Sequence, residues 1–335
     1  MNDSATNIAN GTLMSISCHE GLNLVDMDGN VVTSEFKGTT CVSLEPDAVA
    51  TCINGSWIQN TNVNASHYKC ELPNHNRVLQ ATGEHGITAW CCIGASYTEG
   101  KLILAAGQMK VDGIFYYDRT AFLDLHTFEL SLSTIRMNQA HKRPAHVATP
   151  KGLVVCGGSG HHLTGSKVCE IFQNNTWSLL PAMNVQSNAG AMTEYDGDIY
   201  VGGGYISGVR GELQKLDANT DTWTRPSSLR VRRYVHGMVA IDGKVYFCGG
   251  KGTSLVDMKH CEKYDTITKQ WINMASMNYA RQVPSLVVFD GILYAIGRAG
   301  SKVEFYDESA DQWKLAHDLL TDAEHFAAVE LYRFM

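Results

Sequence analysis

The residues whose types and spacing first suggest chemistry are cysteines in matched pairs. Cys156 and Cys169 are 13 apart, and so are Cys248 and Cys261. Their contexts match as well: Val155-Cys156-Gly157-Gly158 with Val168-Cys169-Glu170, and Phe247-Cys248-Gly249-Gly250 with His260-Cys261-Glu262. Facing positions of an antiparallel hairpin have Cα atoms about 4.5–5.5 Å apart, within disulfide reach. The competing reading is that cysteine simply fills core sites as a small hydrophobe. Because both positions change together in two places, the spacing predicts two bridges. Of the ten cysteines, Cys18, Cys41, Cys52 and Cys70 fall in a stretch poor in continuous apolar sequence, the kind of segment that needs covalent staples. Their pairing has three possible forms. No Cys-x-x-Cys occurs, so zinc knuckles and thioredoxin-type chemistry have no support.

Catalytic constellations are missing from the sequence. There is no G-x-S-x-G elbow and no G-x-x-x-x-G-K-[ST] phosphate loop. Gly202-Gly203-Gly204 ends a strand-like run and no helical pattern follows it, unlike a dinucleotide fingerprint. Adjacent His161 and His162 on an extended chain point to opposite sides and do not share one metal ion. The chain reads as a non-enzyme with no catalytic residues, no metal and no cofactor. A modification signal is present instead. Asn-x-Ser/Thr occurs at Asn2, Asn10, Asn54, Asn64 and Asn174, and four of these make the glycosylation candidates: Asn10, Asn54, Asn64 and Asn174. Residues Met1 to Ala5 show neither a basic nor an apolar leader pattern.

These groups must be positioned by β-structure. The 335 residues carry 27 Lys+Arg against 34 Asp+Glu, a net charge of −7. With 44% hydrophobic and 18% charged residues the chain is globular rather than disordered. Its acidity argues against a nucleic-acid partner, and no apolar run is long enough to span a membrane as a helix. Glycine at 31 and proline at 7 suit many tight turns between strands. A repeat supplies the frame: Gly107, Gly157, Gly203, Gly249 and Gly297 are spaced by 50, 46, 46 and 48 residues. Upstream of each lies a turn at Glu99-Gly100, Lys151-Gly152, Asp196-Gly197, Asp242-Gly243 or Asp290-Gly291. Downstream comes Trp177, Trp223, Trp271 or Trp313, with Leu130 at that place in the first copy. Leu123-Asp124, Leu216-Asp217, Tyr264-Asp265 and Tyr306-Asp307 fall between. One copy therefore reads as four strands, a to d, with an Asp-Gly hairpin between a and b. Such a sheet must share its core with neighbouring copies.

The Gly doublet, the aromatic-Asp step and the Trp make residues from near Asn76 to the C-terminus resemble kelch repeats. The first copy departs with Gln108 in the doublet, and the fifth with Arg298. The resemblance implies an all-β fold, a β-propeller with one blade per repeat. Five copies are complete. His325 to Tyr332 resembles strand a and the start of b, so six blades with the last shared between the termini are favoured over five. Copper radical oxidases also carry kelch repeats, but their Cys–Tyr cross-link and ligand set cannot be assigned here.

Residues 15–74 resemble a sushi (complement control protein) module, through the order of four cysteines and Ile53-Asn54-Gly55-Ser56-Trp57 after the third. That resemblance implies Cys18–Cys52 and Cys41–Cys70 pairs; the alternative is a degenerate further repeat. The expected organisation is a tail over 1–14, the disulfide-rich β module over 15–74 and the propeller over 75–335.

By kelch analogy, the loops after strand b and those before strand a share one face. They carry Arg143, Arg210, Arg233 and Arg281, with Tyr205, Tyr234 and Tyr279. A cationic, aromatic rim suits carboxylate-bearing partners. The expected function is extracellular binding of a protein, for instance an acidic peptide, or of a glycan. The alternative is an intracellular kelch-type adaptor, which places the chain in the cytoplasm.

Overall fold

A computed structural model describes residues 94–96, 101–112, 114–124, 130–159, 165–289, 291–300 and 302–316 in full, and several further strands as backbone. All regular structure among the described residues is β. The outlying early strands are β1 (Leu13–Ser15), β2 (Asn23–Asp26), β3 (Ala50–Ile53), β4 (Ser56–Gln59), β5 (Tyr68–Glu71) and β6 (Ile87–Cys91). Five four-stranded antiparallel sheets follow. Sheet one is built from β7 (Gly94–Thr98), β8 (Lys101–Ala105), β11 (Arg119–Asp124) and β12 (Leu130–Arg136). Its b–c connection holds an extra hairpin, β9 (Gln108–Val111) and β10 (Ile114–Tyr116), which pairs with β6. Sheet two is β13 (Ala145–Thr149), β14 (Gly152–Cys156), β15 (Cys169–Gln173) and β16 (Thr176–Leu180). Sheet three is β17 (Ala191–Tyr195), β18 (Asp198–Gly202), β19 (Glu212–Asp217) and β20 (Thr222–Ser228). Sheet four is β21 (Gly237–Ile241), β22 (Lys244–Cys248), β23 (Cys261–Asp265) and β24 (Trp271–Asn273). Sheet five is β25 (Ser285–Phe289), β26 (Ile292–Ile296), β27 (Glu304–Asp307) and β28 (Gln312–Leu315). Finally β29 (Ala328–Glu330) pairs with β1, so strands from the two ends of the chain share a sheet.

The sheets stand side by side. Their first strands pack in succession, β7 on β13, β13 on β17, β17 on β21, β21 on β25 and β25 on β29. Backbone bonds link the same position from sheet to sheet: Ala189 N–H to Arg143 O at 2.8 Å, Val235 N–H to Ala189 O at 2.8 Å, and Val283 N–H to Val235 O at 2.6 Å. Each of these residues has a positive φ, between 48° and 55°. Such a step recurring with the repeat turns the sheets about a common axis, as in a β-propeller.

Burial follows from that arrangement. Each b strand lies between neighbouring sheets on both faces, so β14, β18, β22 and β26 are buried almost throughout. The outer β16 and β28 are mixed. The Trp of strand d faces the aromatic-Asp step of strand c, in the pairs Leu216–Trp223, Tyr264–Trp271 and Tyr306–Trp313. Its indole N–H then donates to the preceding sheet: Trp177 to Thr120 Oγ1, Trp223 to Pro181 O, Trp271 to Ser227 Oγ and Trp313 to Ala275 O. A Trp buries a large apolar area only if its one donor is met, and here the partner comes from next door.

The expected bridges are present. Cys156–Cys169 joins β14 to β15 and Cys248–Cys261 joins β22 to β23, with Cα separations of 4.1 and 4.2 Å. All four cysteines are fully buried. The doublet of the first repeat needs correction. Gly94 pairs with Ala105 as Ala145 pairs with Cys156, and Gly107 N–H bonds His141 O as Gly158 N–H bonds Ser187 O. The pair is therefore Ala106-Gly107, not Gly107-Gln108, and Ala106 holds the left-handed φ of 60°. Elsewhere glycine is required there: a Cβ on Gly203 would lie 2.3 Å from the Arg233 carbonyl oxygen. The Cys18–Cys52 and Cys41–Cys70 pairs implied by the sushi resemblance lie outside the described residues. Strands β3 and β5 place Cys52 and Cys70 as backbone only.

Candidate functional site

The loops after strand b and before strand a do share one face. They pair directly, in the bridges Lys142–Ser159, Ser166–Ser187 and Tyr234–Lys251. What fixes them is a buried anchor at one position of each of repeats two to five: His141, Ser187, Arg233 and Arg281. Each reaches the carbonyl of the first doublet residue 16 positions later. His141 Nδ1 is 2.6 Å from Gly157 O, Ser187 Oγ donates to Gly203 O at 3.4 Å, Arg233 Nη1 to Gly249 O at 3.1 Å, and Arg281 Nη1 to Gly297 O at 2.9 Å.

A strand-c side chain completes each anchor. Glu170 meets His141 Nε2 at 3.1 Å, Glu262 meets Arg233 Nη2 at 2.9 Å, and Glu304 meets Arg281 Nη2 at 3.0 Å. The same acceptors also take backbone N–H groups of the preceding loop: Asn138 and Gln139 for Glu170, Arg230 and Val231 for Glu262, Asn278 and Tyr279 for Glu304. In sheet three Gln214 does this work, accepting from Val185 N–H and donating back to Val185 O. A further residue ties each loop to the next Trp carbonyl: Asn138 to Trp177, Asn184 to Trp223, Arg230 to Trp271 and Asn278 to Trp313.

Two expected rim residues are thereby reassigned. Arg233 and Arg281 are fully buried and their guanidiniums are used inside the ring, so neither is presented on the loop surface. Their position beside exposed neighbours made them read as surface cations; their partners lie more than 20 residues away in strand c. Burial lowers both guanidinium pKa values, and the facing carboxylates offset part of that pull. For Glu170 burial pushes the pKa up, but the bonds from His141 and Asn138 outweigh it and leave it below the usual carboxylate range. His236 sits far below its ordinary pKa, through burial and then the nearby Arg233 charge. Among the described residues neither of its ring nitrogens has a hydrogen-bond partner, and it stacks on Phe247 with centroids 6.1 Å apart.

Arg143 remains exposed and Arg210 half-buried, the latter 3.9 Å from Glu212. Tyr205 and Tyr234 come together with ring centroids 5.2 Å apart, Tyr205 being 40% exposed. Tyr279 is half-buried in the next loop. The loops of this face also carry exposed Lys167, Arg232 and Lys259. The opposite face, formed by the a–b and c–d turns, carries exposed Asp196, Asp221, Asp242, Glu308 and Asp311, set against Lys151 and Lys269. Exposed apolar Leu255 and Val256 project from the sheet-four loop beside the rim. No cluster of three or more His, Cys, Asp or Glu fit to hold a metal exists among the described residues. His161 lies outside them, as do Asn10, Asn54 and Asn64.

The comparisons agree with this geometry. Residues 232–278, which span sheet four and its anchor, match the Kelch motif family model. An F-box/kelch-repeat protein of Arabidopsis thaliana is 32% identical over 125 residues, 35% of this chain and 33% of that protein. The chain thus spans about a third of the length of that relative. These matches support a kelch-repeat protein. A solved structure titled "Structure of YjhT" superposes with a TM-score of 0.57 at 10% identity, covering 68% of this chain and 84% of that one, a likeness of fold. Kelch repeats are generally protein-interaction modules. Sequence reasoning missed the anchor set. Its signals were the 16-residue offset to the doublet and the repeated Met137-Asn138, Met183-Asn184 and Met277-Asn278.

Proposed function

We propose that the chain is a non-enzymatic binding scaffold working outside the cell. Its ring has six blades, the last shared between β1 and β29, and its loop face takes a protein ligand bearing an acidic, extended segment. The observation that carries this is a cationic set on an acidic molecule: the loops of the face where Tyr205 and Tyr234 meet carry Arg143, Lys167, Arg210, Arg232 and Lys259. Cations steer and orient carboxylates, while aromatic rings supply contact area at low entropic cost. The anchors beneath, themselves neutralised, hold the loops rigid without competing for the ligand.

A synthetic acidic-peptide library, read against sequence-scrambled neutral peptides, tests the reading. Arg143→Glu with Arg210→Glu is expected to weaken acidic-peptide binding about tenfold or more, to lessen its salt dependence, and to leave thermal stability within a degree or two. Unchanged binding discards the rim. The two buried disulfides favour an oxidising setting. An intracellular adaptor is the second reading, favoured by the F-box/kelch-repeat relative. Free thiols at Cys156, Cys169, Cys248 and Cys261 in non-reducing peptide maps would decide for it.

A further inference from the structure

In sheets three, four and five the turn from strand c to strand d opens with an aspartate. Asp217 accepts backbone N–H bonds from Asn219 and Thr220, Asp265 from Ile267 and Thr268, and Asp307 from Ala310 and the Ser309 hydroxyl. The polar side chain is consumed in holding the turn. Sheet two does it differently. Gln173 and Thr176 pair directly across a two-residue turn, and Asn174 and Asn175 both take left-handed φ values, 50° and 55°. That backbone twist suits a hairpin by itself and needs no side-chain bond. Asn174 is exposed, and no hydrogen bond to its side-chain amide is found among the described residues. Its neighbours complete Asn174-Asn175-Thr176, an acceptor sequence for N-linked oligosaccharide.

A second, independent observation points to the compartment where such transfer occurs. Cys169 opens the strand that leads into this turn, five residues before Asn174, and its bridge to Cys156 is fully buried, as closure during folding in an oxidising compartment would leave it. We propose that Asn174 carries an N-linked oligosaccharide, a proposal that rests on the extracellular reading above. The donor class is a lipid pyrophosphate-linked oligosaccharide. The Asn174 amide nitrogen forms a bond to the sugar anomeric carbon as the bond from that carbon to the pyrophosphate oxygen breaks. The amide proton passes to the transferase's base and the lipid pyrophosphate leaves; nothing is oxidised or reduced. The glycan then stands on the turn face, away from Arg143, Tyr205 and Tyr234, and leaves the loop face open.

The test uses the full chain produced in a eukaryotic secretory pathway. Enzymatic deglycosylation in isotope-labelled water is followed by non-reducing peptide mapping, so each molecule reports both Asn174 and the two bridges. The expected result is labelled aspartate at 174 in molecules with Cys156–Cys169 and Cys248–Cys261 closed. Thr176→Ser should keep the glycan, while Thr176→Ala and Asn174→Gln each lose one glycoform on a gel and bind acidic peptide as wild type does. Unmodified Asn174 in molecules whose bridges are closed overturns this proposal and leaves the extracellular reading standing. Unmodified Asn174 together with free thiols overturns both.

Discussion

Sheets three and four meet the same structural demand with opposite chemistry. In sheet four a buried Arg233–Glu262 ion pair ties the incoming loop to the doublet carbonyl, and the Cys248–Cys261 bridge closes the b–c strands beside it. In sheet three Ser187 and Gln214 do the tying, and Gly202 faces Leu213 where the bridge would be. Sheet two mixes the two, with His141–Glu170 and a bridge, while sheet five keeps Arg281–Glu304 without one. Charge at the anchor and charge at strand c change as a unit. A buried carboxylate without its cation is far more costly than a neutral pair, because the attraction of the pair is what offsets desolvation. What the repeats share is therefore a bond from the anchor to the doublet carbonyl and a strand-c acceptor for the incoming loop, rather than a residue.

The largest expected effect breaks the charged version. Arg233→Leu leaves Glu262 buried beside His260 and should destabilise by about 3–5 kcal/mol. Arg233→Ser with Glu262→Gln transplants the sheet-three solution and should recover at least half of that loss in denaturant titration. A double variant as unstable as the single would show that the two anchors are not interchangeable. Next comes the bridge itself. Cys248→Ser with Cys261→Ser should cost about 3 kcal/mol for a loop of this length, with the loss erased when wild type and variant are compared under reducing conditions.

How far the sequence discloses this molecule follows from the range of the interactions. The strands, the Trp positions and both bridges were legible, because each rests on a local pattern copied at a fixed spacing. Cys156 and Cys169, for example, differ by one hairpin, and Trp223 faces Leu216 across one turn. The anchors were not legible. Arg233 and Arg281 sit among exposed charges in the chain, and only the fold brings Glu262 and Glu304 beneath them. Ala106 was hidden for a related reason: left-handed backbone is expected of glycine, so the doublet was sought one residue late. Of the residues expected on the rim, Arg143 and Tyr205 are exposed and Arg210, Tyr234 and Tyr279 half-buried, while Arg233 and Arg281 are buried.

A smaller effect sharpens the comparison at the doublet. Ala106 already stands at φ 60° where Gly203 stands at φ 63°. Ala106→Gly should therefore stabilise by up to about 1 kcal/mol through relief of the left-handed strain. Gly203→Ala should cost more than that gain, because its Cβ would also meet the Arg233 carbonyl oxygen at 2.3 Å. Thermal melts of the two variants should move in opposite directions; movement in the same direction would mean that the doublets of sheets one and three are not equivalent.

The last difference is one of pH. His236, in sheet four, lies well below its ordinary pKa, and His146, in sheet two, is pushed down to about 4, in both cases chiefly by burial. The unfolded chain binds protons on these rings from about pH 6.5 downward, while the folded chain does not. Both rings therefore contribute stability that is complete above that pH and is lost as pH falls below about 6.5, for His146 down to about 4. Glu170, with its pKa lowered by His141 and Asn138 against the pull of burial, adds a loss beginning lower, near the ordinary carboxylate range. His236→Phe keeps the stacking on Phe247 and removes one titrating ring. Its melting temperature should fall less than that of wild type between pH 7 and pH 5, whatever the absolute value at pH 7. Parallel curves would show that His236, just before strand a of sheet four, is not a source of acid lability, and would move that role to His146 and Glu170 of sheet two.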